Sequence, residues 1–224
     1  RLKYVLFAFA TIVAFSRVVV GAHFISDILG GLVVASASYK LINFFLPLTS
    51  ENMLYKKNLT INNNLFILAL IPMLLLAILL TVGPSFDIFF SSLFYKNNGQ
   101  FLLQSFYLIT VFFRDYLLPI ILIYSLILPI FSNRLSINKI FFHHVFLKKE
   151  IYFIWSSTFI VLVLFINLFL KNIWGRARPG DTLELGGEES FSPWFVLSDS
   201  CQTNCSFVSG DAAVGFLLIV FYFI

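Results

Sequence analysis

The chain has 224 residues, of which 59% are hydrophobic, 18% aromatic and only 12% charged, with a formal net charge of +4. Soluble domains carry roughly 25% charged residues, so this composition cannot cover a water-facing surface, and most of the chain must face lipid. The positive excess is spread along the chain with no basic block, which argues against a nucleic-acid partner and fits membrane orientation.

Apolar stretches run over Tyr4–Phe15, Phe24–Leu46, Leu65–Val82, Tyr116–Phe131, Ile151–Leu170 and Ala212–Ile224. A spanning helix needs about 20 apolar residues. The second, third and fifth stretches meet that length. The fourth is marginal, and gains length if Phe101–Phe113 leads into it. The first and last are short and sit at the two ends of the chain, so both read as cut. The expected fold is an all-α, polytopic membrane bundle of about six transmembrane helices. Asn62–Asn64 and Lys96–Gly99 are turn signals. The aromatic and basic segment Ile137–Lys149 is expected in the cytoplasmic interface. Its His143 and His144 have no carboxylate or thiol partner on that side, so they read as interfacial residues rather than metal ligands.

With alternating spans the loops fall into two sets. One set holds Arg1, Lys3, Lys40, Lys56, Lys57, Arg134, Lys139, Lys148 and Lys149, an excess of basic residues that marks the cytoplasmic side. The other set holds three polar clusters, which therefore face outward, toward a periplasm or cell exterior. They are Lys171–Pro179 (KNIWGRARP), Cys205–Asp211 (CSFVSGD) and Ser16–Asp27 (SRVVVGAHFISD). Charged residues in or beside membrane spans are expensive, which makes them functional candidates.

His23 and Asp27 are four apart and share a face if the segment is helical. A carboxylate there holds one ring nitrogen protonated and leaves the other free to attack or to accept a proton. Lys171, Arg178 and Arg17 supply positive charge suited to phosphate oxygens. Ser209 and the Gly210 backbone N–H, at a helix start, add neutral donors. One nucleophile among several phosphate donors describes phosphoryl transfer stabilised by electrostatics.

These motifs resemble those of the type-2 phosphatidic acid phosphatase superfamily, which includes the vanadium haloperoxidases. Lys171, six residues, then Arg178-Pro179 is similar to its first signature. Ser16-Arg17, five residues, His23, three residues, Asp27 is similar to its third. The second signature, Pro-Ser-Gly-His, is matched only by Ser209-Gly210 within Val208-Ser209-Gly210-Asp211. The resemblance implies that Lys171, Arg178, Arg17, Ser209 and Gly210 bind phosphate. It also implies that His23 becomes a phosphohistidine, that Asp27 orients it, and that no metal or other cofactor is used. Asp211 stands where the family places its general-acid histidine, and either serves that role or caps the following helix. The loop Pro84–Gly99 and the Cys205–Gly210 stretch are also similar to bacterial lipid A phosphatases. A lipid A-like phosphoglycolipid is thus the expected substrate, cleaved in a bacterial inner membrane with the site facing the periplasm. A polyprenyl diphosphate phosphatase or phosphotransferase of the same superfamily remains open, as does an inert phospholipid-binding protein.

The signatures run third, first, second along the chain. A circular permutation, with an original start near Met53, restores the usual order and makes residues 1–224 one membrane-embedded domain; the alternative is a window cut from two fused copies. Outside the signatures, Arg176 reads as a headgroup contact or a side chain snorkelling to the interface. Cys201 and Cys205 are able to pair if their loop is periplasmic. Asp181, Glu184, Glu188, Glu189 and Asp199 read as a solvated lid. Trp174 and Trp194 fit an interfacial belt.

Overall fold

The computed structural model describes residues 2–45, 70–96, 100–102 and 148–222, with single positions at 112, 116, 119, 120, 123 and 127. Met53, Asn62–Asn64, most of the stretch Tyr116–Phe131, Arg134, and residues 137–147 with His143 and His144 lie outside the described residues.

Helix α1, Leu2–Val19, is longer than its apolar stretch because Ser16 and Arg17 continue it. A turn follows at Gly21, whose φ of +70° is open to glycine. Helix α2, Ile25–Phe45, starts just beyond. Asp27 sits in its first turn and accepts a hydrogen bond from the Phe24 N–H at 2.8 Å, in the manner of a capping box. Helix α3, Leu70–Val82, and helix α4, Ser85–Ser92, meet at a 102° bend across Gly83 and Pro84. Strands β1, Tyr95–Lys96, and β2, Gln100–Phe101, pair antiparallel with Tyr95 opposite Phe101.

Helix α5, Lys148–Phe159, continues as a π-helical stretch, Ile160–Leu170, before one α-turn, α6, Lys171–Ile173. Eleven residues of π-helix depart from the uniform α-helix expected there, since such turns are rare and usually short. An irregular segment with 3₁₀ turns at Pro179–Asp181 and Leu183–Leu185 then leads to helix α7, Gly210–Tyr222.

Among the described residues, the helices long and apolar enough to cross a membrane are Ile25–Ile42 and Ile151–Ile173. The bent α3–α4 pair adds a third candidate, and α1 contributes a shorter apolar helix, Phe7–Val19. Their outer faces carry exposed apolar side chains such as Ile12, Ile71, Leu74, Ile78 and Leu168, the pattern of helices bathed in lipid. Inside, α1, α2 and α7 pack through small residues: Ala10, Ala14, Ala35 and Ala212 lie with Val18, Ile28 and Phe216. A Cβ at Gly215 would lie 3.3 Å from the Ala10 Cα, a close approach that suits helix pairs in membranes. Arg17 near Asp211 and Ala10 near Gly215 make α1 and α7 antiparallel, so α1 ends and α7 begins at one common edge. A second cluster, Val161, Ile166, Phe207, Val208, Ala213 and Leu217, ties the π-helical stretch to α7. Trp174 and Trp194 join it: Trp174 Nε1 donates to the Trp194 carbonyl at 2.7 Å, and its ring lies 4.7 Å from Phe207.

Candidate active site

Three segments remote in sequence converge at the edge where α1 ends and α7 starts. A cavity of about 290 Å³ is lined by Arg17, His23, Lys171, Arg178, Asn204, Gly210 and Asp211. Arg17 comes from the last turn of α1, His23 from the α1–α2 turn, Lys171 from the start of α6, and Gly210 and Asp211 from the first turn of α7.

His23 stands before α2 rather than on a helix with Asp27. Its backbone N–H bonds the Arg17 carbonyl at 3.2 Å, which folds the turn back onto α1. Its Nδ1 still faces Asp27, at 3.7 Å from Oδ2, a charge contact longer than a hydrogen bond. Catalytic contacts of this kind are often long in the absence of substrate. Burial pushes the imidazole below its ordinary value of 6.5, against the pull of Asp27 and Asp211 in the other direction. The neutral ring, the form able to attack, is therefore favoured.

Asp27 is held by more than His23. Its carboxylate accepts from Phe24 N–H, from the Ser206 hydroxyl and from Arg176 Nη1. Arg176 also donates through Nη1 to Ser26 Oγ at 2.8 Å, through Nη2 to Asp87 Oδ2 at 2.8 Å, and through Nε to the Ser192 carbonyl at 2.8 Å. Ser26 donates in turn to Asp87 at 2.6 Å. The guanidinium carbon lies 4.2 Å from the Phe24 ring centroid and 5.4 Å from that of Phe191. Arg176 is 0% exposed, so the expectation of a headgroup contact is corrected: two carboxylates, a hydroxyl and a carbonyl satisfy its fork inside the protein. Asp87, which lies within the loop Pro84–Gly99, joins Ser26 and Ser206 as network members to which motif reading assigns no role. An acid beside an apolar run, as Asp87 is in Ser85–Ser92, was the available signal.

The second cluster also departs from expectation. Ser209 is 0% exposed and is not among the cavity-lining residues. Its hydroxyl accepts from the Ala212 N–H at 3.3 Å and its own N–H bonds the Asp27 carbonyl at 3.1 Å, so it caps α7 behind the cavity wall. Glycine makes this seating possible: a Cβ on Gly31 of α2 would meet the Ser209 carbonyl at 2.8 Å. Gly210 reaches the cavity in its place, and Asp211 does not cap. Asp211 Oδ2 lies 2.8 Å from Arg17 Nε instead.

Lys171 Nζ donates to the Asn204 side-chain oxygen at 2.7 Å, and Arg178 donates from Nε and Nη2 to the Asn204 carbonyl at 3.3 and 2.9 Å. Cys201 and Cys205, which flank Asn204, are joined by a disulfide. Asp181, Glu184, Glu188, Glu189 and Asp199 are all exposed on the outer segment.

An imidazole backed by a buried carboxylate shares a polar cavity with lysine and arginine at the end of apolar helices, an arrangement suited to an anion. The profile of the PAP2 superfamily matches residues 1–50, the stretch that carries Arg17, His23 and Asp27. The lipid A 4'-phosphatase of Francisella tularensis subsp. novicida is 31% identical over 156 residues, covering 69% of this chain and 69% of that protein. Lipid A 4'-phosphatases of Rhizobium etli and Rhizobium leguminosarum are each 31% identical over 163 residues, covering 60% and 66% of their lengths. The chain belongs to the PAP2 superfamily, and its apolar helices fit that superfamily's all-α membrane architecture. No solved structure matches it at a significant level.

Proposed function

We propose that the chain removes a phosphate from a lipid A-like phosphoglycolipid by way of a phosphohistidine on His23. It is a membrane lipid phosphatase, a phosphoric monoester hydrolase, and a bacterial membrane protein. The observation that carries the mechanism is the common cavity of His23 with Arg17, Lys171, Arg178 and Gly210.

The substrate phosphate lies among the Lys171, Arg178 and Arg17 cations and the Gly210 N–H at the start of α7, which stabilise the charge of the transferring group. Nδ1 of His23 faces Asp27, so Nε2 attacks phosphorus while the bond to the lipid oxygen breaks. Asp211 gives its proton to that leaving oxygen. Water then attacks the phosphohistidine, its proton passing to the Asp211 carboxylate, and inorganic phosphate leaves. Before substrate arrives Asp211 is a carboxylate engaged with Arg17; an incoming phosphate monoester monoanion takes over that guanidinium and hands Asp211 the proton that the leaving oxygen then receives. The basic residues on the opposite loops favour an inner-membrane orientation with the cavity toward the periplasm.

The chain carries the superfamily's three motifs in a rotated order, with an original start near Met53. The antiparallel packing of α1 on α7 supports this, because it brings Arg17 of the third motif beside Asp211 of the second.

Purified protein in detergent, given a lipid A-like phosphoglycolipid, phosphatidic acid or a polyprenyl diphosphate, should release free phosphate fastest from the first. His23→Ala should lower turnover by at least about 10⁴-fold. Rapid quenching should trap an acid-labile, alkali-stable phosphoprotein that the variant lacks. Preference for the diphosphate would move the substrate to that lipid. Parent turnover no faster than that of His23→Ala would reduce the protein to a phospholipid binder.

A further inference from the structure

Lys171 and Arg178 approach the cavity on long, flexible side chains from either side of a chain bend, and a single residue touches both. The Asn204 side-chain oxygen takes Lys171 Nζ at 2.7 Å, and its backbone carbonyl takes two N–H groups of Arg178 at 2.9 and 3.3 Å. Asn204 itself lines the cavity and stands at a φ of +51°, a left-handed conformation that asparagine tolerates better than most residues. That conformation lets its carbonyl and its amide oxygen serve the two cations at once. The segment that presents it is closed by the Cys201–Cys205 disulfide, with a Cα–Cα distance of 5.6 Å.

We infer that Asn204 is a positioning residue of the phosphate site, a neutral clamp that holds Lys171 and Arg178 at the spacing phosphate oxygens need, with the Cys201–Cys205 loop fixing the clamp. This deepens the phosphatase reading and rests on it. Neutrality matters. A carboxylate at this position would bind the same cations more strongly, but would cancel the positive charge that attracts phosphate. An amide oxygen and a carbonyl order the two side chains while leaving their charge in place. Lysine and arginine side chains each carry more N–H donors than the bonds to Asn204 use, so the clamp does not by itself exclude a phosphate.

The test measures binding of inorganic phosphate by calorimetry on the full chain in detergent, alongside kcat and KM for the lipid. Asn204→Gly keeps the left-handed backbone and deletes the Lys171 acceptor; it should weaken phosphate binding about tenfold and raise KM more than it lowers kcat. Asn204→Ala, which also disfavours the backbone, should lose a further few-fold. Asn204→Asp should bind phosphate most weakly. Combined with Lys171→Met, Asn204→Gly should cost almost nothing more, since the two act through one contact. Cys201→Ser with Cys205→Ser should weaken phosphate binding comparably.

Parent-like phosphate binding in Asn204→Gly, or losses that add in the combined variant, would overturn the clamp. Unchanged binding in the cysteine pair would overturn the disulfide's part in it. Calorimetry needs no turnover. A parent that binds phosphate and never releases it from lipid defeats the phosphatase reading, whereas a working enzyme indifferent to Asn204 defeats only the clamp.

Discussion

Arg176 and Arg178 are two residues apart in one motif and live in opposite surroundings. Arg176 is enclosed: Asp27, Asp87, Ser26 and the Ser192 carbonyl take its donors, and the Phe24 and Phe191 rings flank it. Arg178 lines the cavity, and its bonds given above go to a single neutral carbonyl. Behind His23 one buried guanidinium lies between two carboxylates; in front of it Arg17, Lys171 and Arg178 share the cavity with the single carboxylate of Asp211. The rear cluster fixes Asp27, and through it the ring proposed to attack, while the front cluster supplies the positive charge proposed to bind the phosphate. A buried guanidinium between two carboxylates stabilises by geometry. A half-exposed one beside a carbonyl is held ready for a ligand.

Substitution is the most direct way to break this contrast. Arg176→Met leaves Asp27 and Asp87 buried without their cation, which should cost about 3–5 kcal/mol of stability. A denaturant or thermal melt in detergent would register it, and Arg176→Lys should recover little, because one ammonium cannot copy the planar fork. Arg178→Ala should do the reverse, lowering kcat/KM by about 10²–10³-fold while the melt stays near that of the parent. Equal losses of stability in the two variants would erase the distinction. Asp211 sharpens the front of the comparison. Asp211→Asn should slow a lipid with a poor leaving group by about 10²-fold, yet an activated aryl phosphate by only a few-fold. Equal slowing of both would remove Asp211 as the proton donor.

The smallest effect lies at the boundary between the two regions. Burial lowers the His23 imidazole below 6.5, so the folded protein binds its proton less readily than the unfolded chain does. The neutral ring should persist to lower pH, and the stability it contributes should fall as pH drops below 6.5. With three histidines in the chain, a background in which His143 and His144 are replaced by Gln leaves one imidazole to follow by magnetic resonance. A midpoint at or above 6.5 would mean that Asp27 and Asp211 outweigh desolvation.

Composition sets the lipid environment, and unbroken apolar runs of about 20 residues set the helical class over a closed barrel, whose strands alternate polar and apolar residues. Motif spacing pointed to Arg17, His23, Lys171 and Arg178, whose chemistry is local to a few residues. Other assignments needed the fold. The Arg176–Asp27 contact spans a sequence separation of 149 and the Ser206–Asp27 bond one of 179, distances at which no pattern of neighbours carries information. Serine at a helix start serves anion binding and capping equally well, and only the packing of α7 on Gly31 turns Ser209 inward.

The sequence by itself determined a membrane-embedded helical protein with the functional groups of a phosphate site. Tertiary structure decided which of those groups line the cavity and which stand behind it. Side-chain chemistry is a property of the residue, but burial and pairing depend on which distant segment packs alongside, and that is decided only when the helices come together.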